Sequence, residues 1–199
     1  MSPRFAHDLS PQAGDALVVV DVQNDFLPGG SLAVPHGDEV IGPLNGYIDL
    51  FHRRGLPIFA SRDWHPADHV SFQTQGGPWP PHCVVGTPGA EFSAALRLPP
   101  EAEVISKATQ ADRDAYSAFQ GTDLAEQLHG REIVRLFVAG LATDYCVRAT
   151  VEDAITAGFG VAVLGDAVRA VNLRPHDGEE ALRAMEEEGA LLIGDGVSR

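Results

Sequence analysis

The sequence predicts a single-domain α/β fold: a mostly parallel β-sheet with helices on both faces. Three observations carry that expectation. β-Branched runs of strand length alternate with stretches of helical length, strand then helix, along most of the chain. The 199 residues suit one domain with one sizeable core. No repeat, low-complexity tract or inter-domain linker divides them.

The elements follow in order. Residues 1–14 are polar, lack the apolar stretch of a signal peptide, and are expected as an N-terminal tail. Ala16 to Val22 is a β-branched run fit for a buried parallel strand. Asp38 to Arg54 reads as a helix closed by Gly55. Pro57 to Ser61 is a short strand ending at Arg62-Asp63, and Glu103 to Ser106 another ending at Lys107. Thr122 to His129 is expected as a helix, capped by Thr122 or Asp123 and stopped by Gly130. Ile133 to Ala139 is a strong strand, and Asp144 to Ala157 a helix closed by Gly158. Val161 to Leu164, Gly178 to Glu188 and Ala190 to Ile193 complete the alternation as strand, helix and strand. Residues 66–100 stand apart, rich in Pro, Gly and aromatics, and read as one long loop. A loop of that length inside a compact domain is usually functional, here an active-site loop.

Composition excludes several classes of function. The net charge is −14, from 14 basic and 28 acidic residues, which argues against nucleic acid and anionic membranes as partners. No apolar run approaches the roughly 20 residues that span a bilayer, so a cytoplasmic address is expected. Two cysteines, Cys83 and Cys146, make no disulfide framework in a chain this long. Of the 14 basic residues only Lys107 is a lysine. Either that is chance or the position requires a compact ammonium.

In an open parallel sheet, ligands bind beyond the carboxyl ends of the strands. Asp21, Asp63, Lys107 and the Gly140–Cys146 turn all fall at such ends. Cys146 follows a strand and opens a helix, with Thr143 or Asp144 as cap, so free backbone N–H groups and the helix dipole favour its thiolate and an oxyanion nearby. By itself Cys146 reads better as a small buried hydrophobe packing the helix on the sheet. Asp21 is the candidate base, and Lys107 would pair its costly buried carboxylate. A purely structural ion pair is the other reading of those two.

Asp63 and His65 stand two residues apart, on one side of an extended strand end. His69 follows, and His82 comes from the loop. One carboxylate with two or three imidazoles suits a single divalent ion, Zn, Fe or Mn, although the spacing matches no zinc-finger pattern. Surface histidines are the alternative. His7, His36, His52, His129 and His176 show no such clustering and read as solvated.

Five segments together resemble the nicotinamidases and pyrazinamidases of the isochorismatase-like cysteine hydrolase superfamily. They are Asp21-Val22-Gln23-Asn24-Asp25-Phe26 with Gly29-Gly30-Ser31-Leu32; Ser61-Arg62-Asp63-Trp64-His65-Pro66; Trp79-Pro80-Pro81-His82-Cys83 with Gly86-Thr87-Pro88-Gly89; Lys107 with Asp114-Ala115-Tyr116-Ser117-Ala118-Phe119; and Gly140-Leu141-Ala142-Thr143-Asp144-Tyr145-Cys146-Val147. They span nearly the whole chain in the family order. The resemblance implies a Rossmann-like three-layer α/β/α sandwich with a six-stranded sheet. It implies Asp21, Lys107 and Cys146 as catalytic triad, and Ala142 and Cys146 amides as oxyanion hole behind a cis Leu141–Ala142 peptide. It further implies a divalent metal on Asp63, His65 and His82, with His69 as fourth ligand or supporting group. Phe26, Trp79 and Tyr116 would bind a flat ring.

The activity so implied is hydrolysis of nicotinamide to nicotinate and ammonia through a cysteine thioester, with pyrazinamide as a second substrate and NAD salvage as the setting. A homo-oligomer is compatible with it. The chain departs from the family pattern at Leu27, where a cysteine is usual, at Tyr145, where many relatives carry histidine, and at Ala118, where glycine is common. The alternative is a related amidase for a non-pyridine carboxamide or N-carbamoyl compound. Many such relatives lack the metal cluster. An isochorismatase, an ether hydrolase, would lack Cys146.

Overall fold

The computed structural model describes residues 5–6 and 10–194. Its centre is one sheet in which every neighbouring pair of strands is parallel. The strands are β1 (Phe5–Ala6), β2 (Asp15–Val20), β3 (Ile58–Asp63), β4 (Glu103–Lys107), β5 (Arg135–Leu141), β6 (Gly160–Arg169) and β7 (Leu191–Ile193). They lie in the order β1-β7-β6-β5-β2-β3-β4. The expected six parallel strands are there, flanked by helices. The two-residue β1 adds an edge on β7, inside the stretch expected as a tail. Of that stretch residues 1–4 and 7–9, His7 among them, lie outside the described residues.

Connectivity explains where a site can form. From β2 the chain steps outward to β3 and β4, then returns to the other side of β2 as β5 and proceeds to β6 and β7. The direction reverses between β2 and β5, and such a switch point leaves a crevice beyond the strand ends. Gly140, opposite Val20 in register, is what lets the two strands close up there. Its φ is +122°, and a Cβ would sit 2.0 Å from the Val20 carbonyl oxygen. Only glycine fits.

The strands are buried on both faces, as their unbroken apolar runs foretell: Ala16 to Val20, Leu136 to Ala139 and Val161 to Leu164 are all core. The helices are α1 (Ile41–Arg53), α2 (Leu124–Gly130), α3 (Arg148–Thr156) and α4 (Asp177–Glu187). α1 buries Leu44, Ile48 and Phe51, the spacing of one helical face. Gly55 and Gly158 follow their helices with positive φ, as expected of helix stops. Gly130 does not stop α2. It is that helix's last residue, and the left-handed turn falls on Glu132.

Several boundaries shift by one or two residues, as in β5, which runs Arg135–Leu141 rather than Ile133 to Ala139, and three differ for clear physical reasons. The helix expected from Asp38 begins as a 3₁₀ turn at Gly37–Val40, and α1 starts at Ile41, which places Pro43 in its first turn where a missing N–H costs nothing. The helix expected from Asp144 begins as a wide π turn, Thr143–Val147, before α3. Strand β6 runs ten residues, longer than Val161 to Leu164, because its ladder to β5 resumes at Val168 after a register shift. Residues 66–100 form no long element. They are knit by 3₁₀ turns at Gln73–Gln75 and Pro88–Ala90 and by lone bridges joining His65 to Val84 and Phe72 to Trp79.

Candidate active site

Asp21, Asp63, Lys107 and Cys146 meet at the carboxyl end of the sheet. Asp63 and Lys107 are neighbours in register across β3 and β4. Asp21 follows β2 with φ +51° and donates its backbone N–H to the Ser61 carbonyl. Its side chain is fully buried, and Ser61 Oγ donates to its Oδ1 at 2.6 Å. Cys146 lies in the π turn that follows β5.

Lys107, 1% exposed, is the hub. Its Nζ lies 3.0 Å from Asp21 Oδ2, donates to the Asp63 carboxylate, to the Ala115 carbonyl at 3.2 Å, and toward Cys146 Sγ at 3.5 Å. The lysine therefore pairs both carboxylates rather than Asp21 alone. That ion pair approaches Asp21 Oδ2 off the hydrogen-bonding direction, so Oδ2 keeps no hydrogen-bond partner among the described residues. Cys146 Sγ is within 4.8 Å of the carboxylates of Asp21 and Asp63. A buried carboxylate beside a thiol, ion-paired to an ammonium but free to take a further hydrogen bond, can accept the thiol's proton.

Burial raises the Asp21 pKa even against the attraction of Lys107. Burial likewise pushes the Cys146 thiol well above its ordinary value, with Lys107 pulling down and the two carboxylates pushing up. Burial would strip the charge from Lys107, but Asp21 and Asp63 outweigh it and the ammonium is held.

A second cluster adjoins the first. Asp63 Oδ1 is 4.0 Å from His65 Nε2, and Asp63 Oδ2 is 4.0 Å from His82 Nε2. The imidazoles are oriented from behind: His65 Nδ1 donates to the His82 carbonyl at 3.0 Å, and His82 Nδ1 donates to the Pro80 carbonyl at 2.8 Å. A carbonyl accepts only, so the ring protons sit on Nδ1 and both Nε2 lone pairs face the carboxylate. Burial drives His65 down to about 4, which keeps it neutral near pH 7. Two lone pairs and a carboxylate oxygen within 4.8 Å of one another, with no proton to share, form a donor set that suits a divalent cation.

His69 does not join that set. It is buried against His65, ring centroids 4.3 Å apart, but its Nδ1 meets Ser71 Oγ at 2.7 Å and its Nε2 the Arg113 carbonyl at 3.0 Å. Both of its nitrogens are engaged in these hydrogen bonds. A separate trio of His65, His69 and Asp114 also has mutually close atoms, with Asp114 exposed.

Against both clusters lies a small cavity of about 60 Å³, predominantly apolar, bordered by Phe26, Trp79, Tyr116, Ala142, Tyr145 and Cys146 and by Asp63, His65, Ser71 and His82. Phe26 stands beside His82, ring centroids 5.6 Å apart. Trp79 Nε1 donates to Tyr116 Oη at 2.9 Å, and Tyr145 packs edge-on to Trp79 at 5.3 Å. The Leu141–Ala142 peptide is cis, as the resemblance implies. The side-chain cap expected from Thr143 or Asp144 is absent: Ala142 is the N-cap, and the Asp144 carboxylate instead accepts the amides of Val171 and Asn172, each at 2.9 Å.

Sequence reasoning missed three supports. Ser61 holds Asp21, and its signals are a hydroxyl after the apolar Ile58-Phe59-Ala60 of its strand and its place at the head of the Ser61-Arg62-Asp63 segment. Gln23 clamps Asp63, accepting its N–H and donating to its carbonyl, both at 2.8 Å, and also donates to Ala90 O. Ser71 lines the cavity from the long loop.

Comparison with known proteins gives concordant relatives. The isochorismatase domain family matches residues 15–194. The nicotinamidase of Escherichia coli (strain K12) is 42% identical over 198 residues, 89% of this chain and 93% of that one. The crystal structure of the pyrazinamidase of Pyrococcus horikoshii in complex with zinc has a TM-score of 0.88 and 50% identity, covering 92% of this chain and 99% of that one. The structure of PnC1 from L. infantum in complex with nicotinate has a TM-score of 0.83 and 36% identity, covering 96% of each chain.

Proposed function

The chain belongs to the isochorismatase domain family, and from that premise we propose that it is a nicotinamidase, an amidohydrolase that converts nicotinamide to nicotinate and ammonia. One observation carries the reading. A single cavity is bordered both by Cys146, whose sulfur lies within 4.8 Å of the Asp21 carboxylate, and by the preoriented Asp63, His65 and His82 donor set. The first suits attack on a carbonyl, the second suits holding a metal.

The residues then divide the work. Asp21 takes the Cys146 proton on its unpartnered Oδ2, and Lys107 holds the carboxylate and stabilises the nascent thiolate. The sulfur attacks the carboxamide carbon. The Ala142 and Cys146 backbone N–H groups receive the oxyanion. Asp21 returns its proton to the departing ammonia. The Cys146 thioester is cleaved by water, which Asp21 deprotonates in turn. Phe26, Trp79 and Tyr116 confine the ring, and Tyr145 extends that wall. Asp63, His65 and His82 would hold one divalent ion, and that ion would supply Lewis acidity able to attract a ring nitrogen and so help orient the carboxamide. Zinc is the first ion to try, given the zinc complex of the pyrazinamidase relative. Among the described residues no helix is long and apolar enough to cross a membrane, and a cytoplasmic place in NAD salvage fits the reading.

Ammonia release from nicotinamide, pyrazinamide, benzamide and N-carbamoylsarcosine tests it. The expected order puts the two pyridine-type amides far ahead. Preference for N-carbamoylsarcosine would overturn the assignment in favour of a sibling amidase.

A further inference from the structure

The roles assigned above leave one buried polar side chain of the cavity wall unused. Ser71 is 4% exposed and borders the cavity with Asp63, His65 and His82. Its hydroxyl lies 2.7 Å from His69 Nδ1, and two neighbouring bonds fix which atom donates. His69 Nε2 meets the Arg113 carbonyl at 3.0 Å, and a carbonyl only accepts, so the ring proton is on Nε2. The Ser71 backbone N–H, which only donates, points at His69 Nδ1 at 3.3 Å, so Nδ1 is an acceptor. The Ser71 hydroxyl proton is therefore committed to His69, and only lone pairs remain on Oγ.

The placement is also rigid. The Ser71 carbonyl accepts the Trp79 N–H at 3.0 Å, and Val70 N–H donates to the Ala111 carbonyl at 2.7 Å, so the loop is fastened on both sides of the hydroxyl. An oxygen that can accept but not donate, buried in the wall of the cavity that Asp63, His65 and His82 also border, is of no use to those three groups, which are themselves acceptors. It is of use to a cation, or to a water that the cation holds and polarises.

We propose that Ser71 is a further oxygen donor of the cation site, and that His69 is the positioning residue that turns its lone pairs toward it. The inference rests on the reading that Asp63, His65 and His82 hold a divalent ion. It also assigns His69 a purpose that both of its hydrogen bonds serve. The chain runs Arg113 carbonyl, His69 Nε2–H, His69 Nδ1, Ser71 O–H, and ends on an oxygen at the metal pocket.

The test is metal affinity, which needs no turnover. Chelator-stripped protein is titrated with Zn²⁺ or Co²⁺ against a chromophoric competitor. Thermal unfolding of the metal-free proteins shows that each variant is folded. Loss of an oriented supporting group in a metal site weakens binding about 10- to 100-fold, and that is the loss expected for Ser71→Ala. Ser71→Thr, which keeps the hydroxyl, should restore most of it, and His69→Phe, which fills the ring space without an acceptor, should weaken binding like Ser71→Ala. His82→Ala serves as control and should lose the ion. Unchanged affinity in Ser71→Ala alongside loss in His82→Ala overturns the inference while leaving the metal site standing. Unchanged affinity in His82→Ala overturns the metal-site reading itself. Equal weakening by Ser71→Ala and Ser71→Thr overturns the inference too, since the hydroxyl would then be irrelevant.

Discussion

The two sides of the cavity are held in place by different physics. On the nucleophile side, Asp21 and Lys107 stand at the ends of sheet strands and Cys146 in the turn leaving a third. Ladder hydrogen bonds fix their backbones, and one ammonium couples their side chains. On the metal side, His82 stands on a segment with no long element, and the imidazoles are aimed by bonds from Nδ1 to loop carbonyls. Asp63 belongs to both, a strand residue bonded to Lys107 and facing both Nε2 atoms. The difference teaches that reactive groups are placed by the topology, which any sequence of this fold must reproduce. Recognition is placed by side-chain and carbonyl contacts within a loop, which can vary without disturbing the sheet.

If that division is right, the largest effects come from the nucleophile side. Cys146→Ala should lower turnover by at least about four orders of magnitude, since removing a nucleophile costs nearly as much as removing the whole triad. Cys83→Ala should keep most of it. Cys83 is buried too, and burial with the nearby carboxylates of Asp63, Asp21 and Asp25 pushes its thiol up; it does not border the cavity, and its backbone N–H, which the substitution spares, is what binds Asp25 Oδ2 at 2.7 Å. Iodoacetamide labelling with mass spectrometry reads the same distinction: Cys146 should react first and substrate should protect it.

Lys107→Arg comes next. Charge is kept, but a planar fork cannot replace a compact ammonium that meets two carboxylates, a carbonyl and a sulfur. A displacement of about 1 Å in a catalytic arrangement can cost about 100-fold, so kcat/KM should fall roughly 100-fold or more. Near-normal kinetics would reduce Lys107 to a generic cation.

The same contrast decides what could be read in the sequence. Ala16 to Val20 and Ile133 to Ala139 announce buried parallel strands, and strand ends then bring Asp21, Asp63, Lys107 and Cys146 together without any further information. The register of a parallel sheet does that work. The metal-side geometry was not legible in the same way. His69 sits in the same short stretch as His65, and spacing cannot tell a ligand from a neighbour whose nitrogens turn to Arg113 and Ser71. Asp144 reads as a helix cap, yet a wide π turn carries its carboxylate to Val171 and Asn172 instead. Gln23 was visible only as part of a motif, because its partners, Asp63 and Ala90, lie 40 and 67 residues away.

Benzamide probes the metal side directly. If an ion on Asp63, His65 and His82 grips the ring nitrogen, benzamide should be turned over about 30- to 1,000-fold less efficiently than nicotinamide, the cost of one lost polar contact in a buried site. His82→Ala or chelation should shrink that ratio, because the group that reads the nitrogen is gone. Equal use of both amides by metal-loaded protein would exclude the ring-nitrogen role. A ratio that survives chelation would move the discrimination to the aromatic wall.

That wall gives the smallest expected effect and the finest test. Trp79 reaches the cavity from the long loop and Tyr116 from the segment after β4, and they are joined by one hydrogen bond from the indole Nε1 to Oη at 2.9 Å. Tyr116→Phe keeps the ring and deletes the acceptor. Tyr116 is only half-buried, so water can satisfy the indole, and the net loss should be about 0.5–1.5 kcal/mol. On the division argued above, a recognition contact should raise KM about 2- to 10-fold and leave kcat near its original value, because nothing in the triad touches Oη. Steady-state kinetics on nicotinamide separates the outcomes. A fall in kcat at constant KM would place Tyr116 on the chemical side and blur the boundary between the two. An unchanged KM would mean that Trp79 is held by its edge-on contact with Tyr145 alone. The double variant Tyr116→Phe with Tyr145→Ala should then show the loss that the single one did not.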